Sequence, residues 1–303
     1  MSDHDHHHGA HAGHAHGRGT GGPFVWGIAL NLGFVVVEAI YGALAHSIAL
    51  VSDAAHNFGD VLGLALAGTA AVLARRAPSA RRTYGLRRST ILAALANAVV
   101  LLVGVGAVCQ EAIRRFGSPA PTDARTVMIV AGIGIVINGG SAALFARRSN
   151  LDVNVRAAYM HLLADAAVSV AVVLGGLGLL LTGWTWIDPA VSLLVSVAIL
   201  AGTWSILRES LNLALDAVPP GIDPEAVRTH LEKIPGVLEV HDLHIWAMST
   251  TETALTAHLV MKTEACHPAL LRDVGRELDQ RFQIHHTTLQ VEPPDAPGEC
   301  APC

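Results

Sequence analysis

Residues 49–74 read ALVSDAAHNFGDVLGLALAGTAAVLA, an apolar run long enough to cross a bilayer as one helix, yet interrupted by Ser52, Asp53, His56, Asn57 and Asp60. Five further apolar stretches, at 24–46, 88–113, 125–146, 156–182 and 188–209, each reach the ~20 residues that a crossing requires. Together they predict six transmembrane helices. Composition agrees: 51% of the residues are hydrophobic and 15% charged, and the mean hydropathy is +0.44, too apolar for an ordinary soluble domain.

Arginine places the ends of these spans. Arg75, Arg76, Arg81, Arg82, Arg87 and Arg88 follow the second stretch, Arg147, Arg148 and Arg156 follow the fourth, and Arg208 ends the last, against Arg114, Arg115 and Arg125 on the other side. The positive-inside rule then puts the first set and both termini in the cytosol, and an alanine- and arginine-rich chain suggests a bacterial cytoplasmic (inner) membrane. A net charge of -5 with two lysines, Lys233 and Lys262, offers no basic stripe for nucleic acid. Four cysteines, two of them in the last four residues, do not form a secreted disulfide framework.

After Pro219 the composition becomes that of a soluble domain. Asp223-Pro224-Glu225 starts a helix running to about Ile234, strands are expected over Val237–Met248 and Thr253–Met261, a helix over Pro268–Phe282 and a last strand over Thr287–Val291. The order αββαβ is that of an α+β ferredoxin-like plait lacking its first strand. The chain therefore divides into a His-rich cytosolic N-terminus at 1–22, a transmembrane domain at 23–210, a cytosolic domain at 219–293 and a flexible tail at 294–303.

The chemistry lies in repeated spacings. His56 and Asp60 stand four apart and so share one helical face; His161 and Asp165 repeat the device in the fifth span. Ionisable groups within a bilayer are costly and are usually paired, functional or turned to an aqueous cavity. A structural hydrogen bond between helices could explain one such pair, but the pattern occurs twice. Two imidazoles and two carboxylates supply four ligands, enough to enclose a tetrahedral zinc ion, whereas a hydrolytic zinc site keeps an open position. Loading such a site requires neutral imidazoles and ionised carboxylates, so metal and protons exchange, and antiport follows if the two events occur on opposite sides. Glu38 and Asp53 also lie in spans, as helix-packing or water-cavity groups, with a proton path as the sharper alternative.

Histidine is abundant elsewhere, with 17 in all. The strands of one small sheet can bring His241, His258, His285 and Glu292 together as a regulatory metal site in the cytosol, although scattered surface histidines fit the same positions equally well. His4, His6, His7, His8, His11, His14 and His16 form a flexible chelating tract whose irregular spacing is unlike a purification tag. Cys300 and Cys303 form a lone C-x-x-C that could add two thiolate ligands to a shared site or be idle. No His-Glu-x-x-His helix is present to support an intramembrane metalloenzyme. A membrane-anchored metal sensor would have no need of ligands in two different spans.

From about Asn31 to Glu292 the chain resembles the cation diffusion facilitator family, the bacterial zinc, cadmium and cobalt exporters and the eukaryotic zinc transporters. The resemblance rests on Gly42 through Asp60, Thr83-Tyr84-Gly85, Asn154 through Asp165, and the His241 to Trp246 strand. It implies a transporter rather than an enzyme, working as a homodimer that alternates between inward and outward states. It places the transport site on His56, Asp60, His161 and Asp165, and implies zinc preference from His56. It also implies that the cytosolic domain dimerises and binds zinc through His241, His258, His285 and Glu292. Cys300 and Cys303 look similar to a terminal cysteine pair of some animal members. The chain departs from the family in lacking a histidine-rich loop between helices four and five, and in having Thr90 where many members have glutamate.

Overall fold

The computed structural model describes residues 21–118, 121–146, 153–262 and 268–294. The histidine tract and the Cys300–Cys303 pair lie outside the described residues. Six long helices come first: α1 (Gly21–Leu44), α2 (Ile48–Ala74), α3 (Ser89–Gly117), α4 (Ala124–Ala146), α5 (Val153–Thr182) and α6 (Ile187–Ala214). Each of α2 to α6 contains a described stretch long and apolar enough to cross a membrane, and α1 has 24 residues with Glu38 as its one charged side chain. Large apolar side chains point outward, among them Leu181, Val136 and Val103, as expected where lipid is the solvent. Trp184 and Trp186 stack at 5.7 Å in the turn between α5 and α6, a place where aromatic rings suit the membrane–water boundary.

α4 packs on α5, α3 on α6, and α2 on both α1 and α3. Small residues allow the close approaches: a Cβ at Gly59 would come within 2.1 Å of the Leu101 side chain on α3. The outer turns are fixed by acids at helix starts. Asp188, in the first turn of α6, accepts from Ser47 Oγ at 2.5 Å and from the Ile48 N–H at 2.8 Å, so an α6 side chain caps α2. Asp123 caps α4, accepting from the Arg125 and Thr126 N–H groups and from Thr126 Oγ1 at 2.6 Å. The Thr126 hydroxyl and amide hold its carboxyl below the usual carboxylate range.

The C-terminal unit follows the αββαβ order: α7 (Pro224–Glu232), β1 (Val237–Ala247), β2 (Thr253–Met261), α8 (Pro268–Phe282) and β3 (Ile284–Glu292). β2 is central, antiparallel to β1 and parallel to β3. Val227 and Leu231 of α7 and Val274 and Leu278 of α8 close over Val240, Leu255, Leu259 and Ile284 of the sheet. β3 begins at Ile284, three residues before the Thr287 that propensity suggests, because Gln283 turns the chain (φ 57) straight out of α8 into pairing with Thr253. This unit meets the helical bundle where Ile91, Leu213 and Ala247 form a small buried cluster and where Arg87 pairs with Glu252, while Arg88 at the start of α3 pairs with Asp216 just past α6.

Candidate metal centres

α2 and α5 carry the two four-residue pairs into the middle of the bundle. At 1.5 Å per residue, His56 and Asp60 lie about 12–18 Å along α2 from its start, and His161 and Asp165 lie about 12–18 Å along α5 from its start. Because α2 and α5 run in opposite directions, these counts, taken from opposite ends, bring the two pairs to one level inside the bundle.

The four side chains meet there in a crossed arrangement. His56 Nε2 lies 3.6 Å from Asp60 Oδ2 and 3.7 Å from Asp165 Oδ1. His161 Nε2 lies 3.3 Å from Asp60 Oδ2 and 3.6 Å from Asp165 Oδ2. The rings stand across the carboxylates from each other, centroids 6.3 Å apart. Each contact is longer than the 2.7–3.2 Å of an N–H···O bond. Bond lengths of about 2.0–2.2 Å around a tetrahedral zinc ion put neighbouring ligand atoms about 3.3–3.6 Å apart, close to these four contacts; His56, Asp60 and Asp165 hold one donor atom each within 4.8 Å of one another, a group that does not include His161. His56 Nδ1 and Asp60 Oδ2 are buried with no hydrogen-bond partner, and Asp165 is 5% exposed. A cavity of 180 Å³ between α2 and α3, lined by Ser52, Gly59, Leu101 and Val105, reaches His56.

Glu38 and Asp53 lie on the other flank of His56. Both are fully buried, and the Asn57 side-chain amide bridges them.

In the cytosolic unit, pairing of His241 with His258 across β1 and β2 brings their rings to 5.1 Å. Glu292, at the end of β3, lies 3.1 Å from His241 Nε2 and 2.9 Å from His258 Nδ1. These three residues hold their donor atoms within 4.8 Å of one another. His285 is not brought to them. It opens β3 seven residues before Glu292, about 23 Å away along the strand, and its nearest charged partner is Asp279 at 3.9 Å. Within one chain the expected set of four is therefore a set of three.

Asp242, absent from that expectation, joins the cluster instead. Its carboxylate lies 3.0 Å from His244 Nε2 and 3.5 Å from His258 Nε2. Strict alternation would put residues 241 and 242 on opposite faces; a register shift between His241 and His244, with Asp242 at φ 51, breaks that alternation.

Comparisons with known proteins agree with this architecture. Residues 25–213 match the cation efflux transmembrane domain and residues 219–294 match the cation efflux protein cytoplasmic domain. The chain is 36% identical to the metal cation efflux system protein CzcD of Cupriavidus metallidurans over 285 residues, covering 93% of this chain and 90% of that protein. It is 36% identical to the zinc transporter ZitB of Escherichia coli, covering 88% of this chain and 86% of ZitB. It is 32% identical to a cadmium, cobalt and zinc/H(+)-K(+) antiporter of Bacillus velezensis, covering 86% and 84%. With both domains matched in order and across nearly its whole length, the chain belongs to the cation efflux family of multi-pass membrane transporters, the cation diffusion facilitators.

Proposed function

We propose that this protein exports divalent metal cations, zinc foremost, from the cytosol in exchange for protons, through His56, Asp60, His161 and Asp165. The observation that carries the reading is the crossed set of imidazole–carboxylate distances between α2 and α5, 3.3–3.7 Å, near the ligand spacing of a tetrahedral ion and longer than an ideal hydrogen bond. Two neutral nitrogens and two anionic oxygens neutralise a divalent charge and fill a tetrahedral shell, which suits zinc and leaves no position for a reactive water. The names of the relatives support the same cargo and the same exchange: one is a zinc transporter, another a cadmium, cobalt and zinc/H(+)-K(+) antiporter.

In this cycle the site loads metal from the cytosol with its imidazoles neutral. On the other side protons replace the ion, and the protonated site returns. The protein works as a homodimer in a bacterial inner membrane with both termini in the cytosol. His241, His258 and Glu292 hold a regulatory zinc ion in the cytosolic domain, with His258 turning its other nitrogen toward Asp242 as a metal-bound imidazole commonly does. Metal-dependent proton flux in proteoliposomes under an imposed pH gradient tests the proposal. Zinc should move in the wild type and fail to move in both Asp60→Ala and Asp165→Ala; flux equal to wild type in either variant would remove the site from the transport path.

A further inference from the structure

Glu38 and Asp53 are wholly buried among the membrane-spanning helices, each 0% exposed, yet they belong to neither metal centre. α1 supplies the glutamate, α2 the aspartate. Asn57 Nδ2 lies between them, donating to Glu38 Oε2 at 3.3 Å and to Asp53 Oδ1 at 3.4 Å. From α5, Ser169 Oγ donates to Asp53 Oδ2 at 3.3 Å. Glu38 Oε1 is buried with no partner. One amide group and one hydroxyl thus serve four carboxylate oxygens, all at longer than ideal range.

No lysine or arginine faces this pair among the described residues. The other titratable groups facing it are Asp165 of α5, also an acid, and the His56 imidazole one turn beyond Asp53, which brings no positive charge when it is neutral and ready to hold a metal. α4, the remaining helix packed on α1, carries Arg125 as its one charged residue, exposed in its first turn. Two adjacent carboxylates without a counter-ion in low dielectric do not both ionise; they hold a proton between them. A sodium or potassium ion would require about six oxygens, with water among them, whereas a proton requires only two.

We infer that Glu38, paired with Asp53 through Asn57, is a proton-binding site distinct from the metal ligands, which releases its proton when a divalent cation enters between α2 and α5. Coupling follows from adjacency. Asn57 is the next residue after His56, and Asp53 lies one turn before it, so an ion carrying two positive charges at His56 raises the potential at the carboxyl pair. The Glu38 carboxylic acid then becomes a carboxylate and a free proton, and it is reprotonated after the ion leaves. This step rests on the proton-exchange reading above and adds a carrier to it.

The test measures protons released on zinc binding by the full chain in lipid nanodiscs, which needs no transport, together with infrared difference spectra. The wild type should show a protonated carboxyl band that disappears on zinc addition at constant pH and shifts when glutamate is isotopically labelled. Glu38→Gln should still bind zinc but release about one proton fewer per ion. Unchanged proton release in Glu38→Gln, or a wild-type spectrum without a protonated glutamate, overturns the inference. Loss of the band on adding potassium or sodium alone overturns it too, by making the pair a metal-cation site. The labelled wild-type spectrum decides the matter if Glu38→Gln does not fold. Failure of the exporter reading is seen separately, as a wild type that binds zinc without moving it in proteoliposomes.

Discussion

Thr90 Oγ1 accepts a hydrogen bond of 3.1 Å from the backbone N–H of Thr250. The bond joins the first turn of α3 to the tip of the β1–β2 hairpin, beside the 2.6 Å Arg87–Glu252 ion pair and the edge contact of Tyr84 with His286. The Thr90 hydroxyl thus accepts from an N–H of the C-terminal unit. Thr90→Val should cost about 1 kcal/mol locally and raise hydrogen exchange at the Thr250 amide roughly five-fold, leaving the sheet core unchanged. Arg87→Ala should do less, since both members of that ion pair are more than a third exposed.

The cytosolic centre gives a contrast within one set of histidines. In an Asp60→Ala background, which removes the intramembrane site, His241→Ala or Glu292→Ala should weaken zinc binding by at least about a hundred-fold. Asp242→Asn, which keeps all three of His241, His258 and Glu292 and changes the partner of His258 and His244, should weaken it about ten-fold or more. His285→Ala should leave the single-chain affinity as it was. Calorimetric titration of the four variants distinguishes the observed trio from the set of four expected on sequence grounds.

Gly59 predicts a rescue. A Cβ there would sit 2.1 Å from Leu101 Cδ2 and 3.3 Å from its Cγ, and Leu101 is buried with little room to move, so Gly59→Ala should destabilise the α2–α3 contact by about 1–3 kcal/mol. Leu101→Ala in the same chain should recover most of the loss, measured as thermal unfolding in detergent. If the double variant is no better than Gly59→Ala, the close approach is not the reason for the glycine.

Asp123 gives a pH-dependent case outside the membrane. Its carboxyl is held low by the Thr126 hydroxyl and amide, so its contribution to the start of α4 is fully present above the ordinary aspartate value of ~3.9 and is lost only as pH falls through the lowered one. The first turn of α4 should stay protected at pH 5 and fray in stronger acid. Asp123→Asn should remove that acid dependence while keeping part of the cap; hydrogen exchange at Arg125 and Thr126 reports both.

Much of the bundle was legible because ionisable side chains in apolar spans are rare enough to stand out. His56, Asp60, His161 and Asp165 could be singled out by spacing. Boundaries were less readable where a helix leaves the lipid. α6 continues to Ala214, past the expected end at 209, because the backbone has no break where Arg208, Glu209 and Asn212 replace the apolar run, and all three side chains are exposed. The cytosolic cluster was half legible. His285 fell before the expected strand at Thr287, where a loop could have carried it to the site; as the second residue of β3 it stands an odd seven positions from Glu292, at the far end of the strand and on the other face by alternation. Asp242 was hidden by the same rule, since only a bulge can bring it beside His258.

The cap that Asp188 places on α2, together with the Arg88–Asp216 pair at the opposite end, fastens α6 to α2 at one surface and to α3 at the other. Helices α2, α3 and α6 are thereby one block, while α4 and α5 pack closely as another. Of the four imidazole–carboxylate contacts, His161–Asp60 and His56–Asp165 cross the seam between these blocks; the other two lie within single helices. A seam that parts by an ångström or two lengthens the crossing contacts and spares the rest. On the proposed function, a four-ligand site would then open into two halves of two ligands each, and an ion held by all four would become one that either half could surrender.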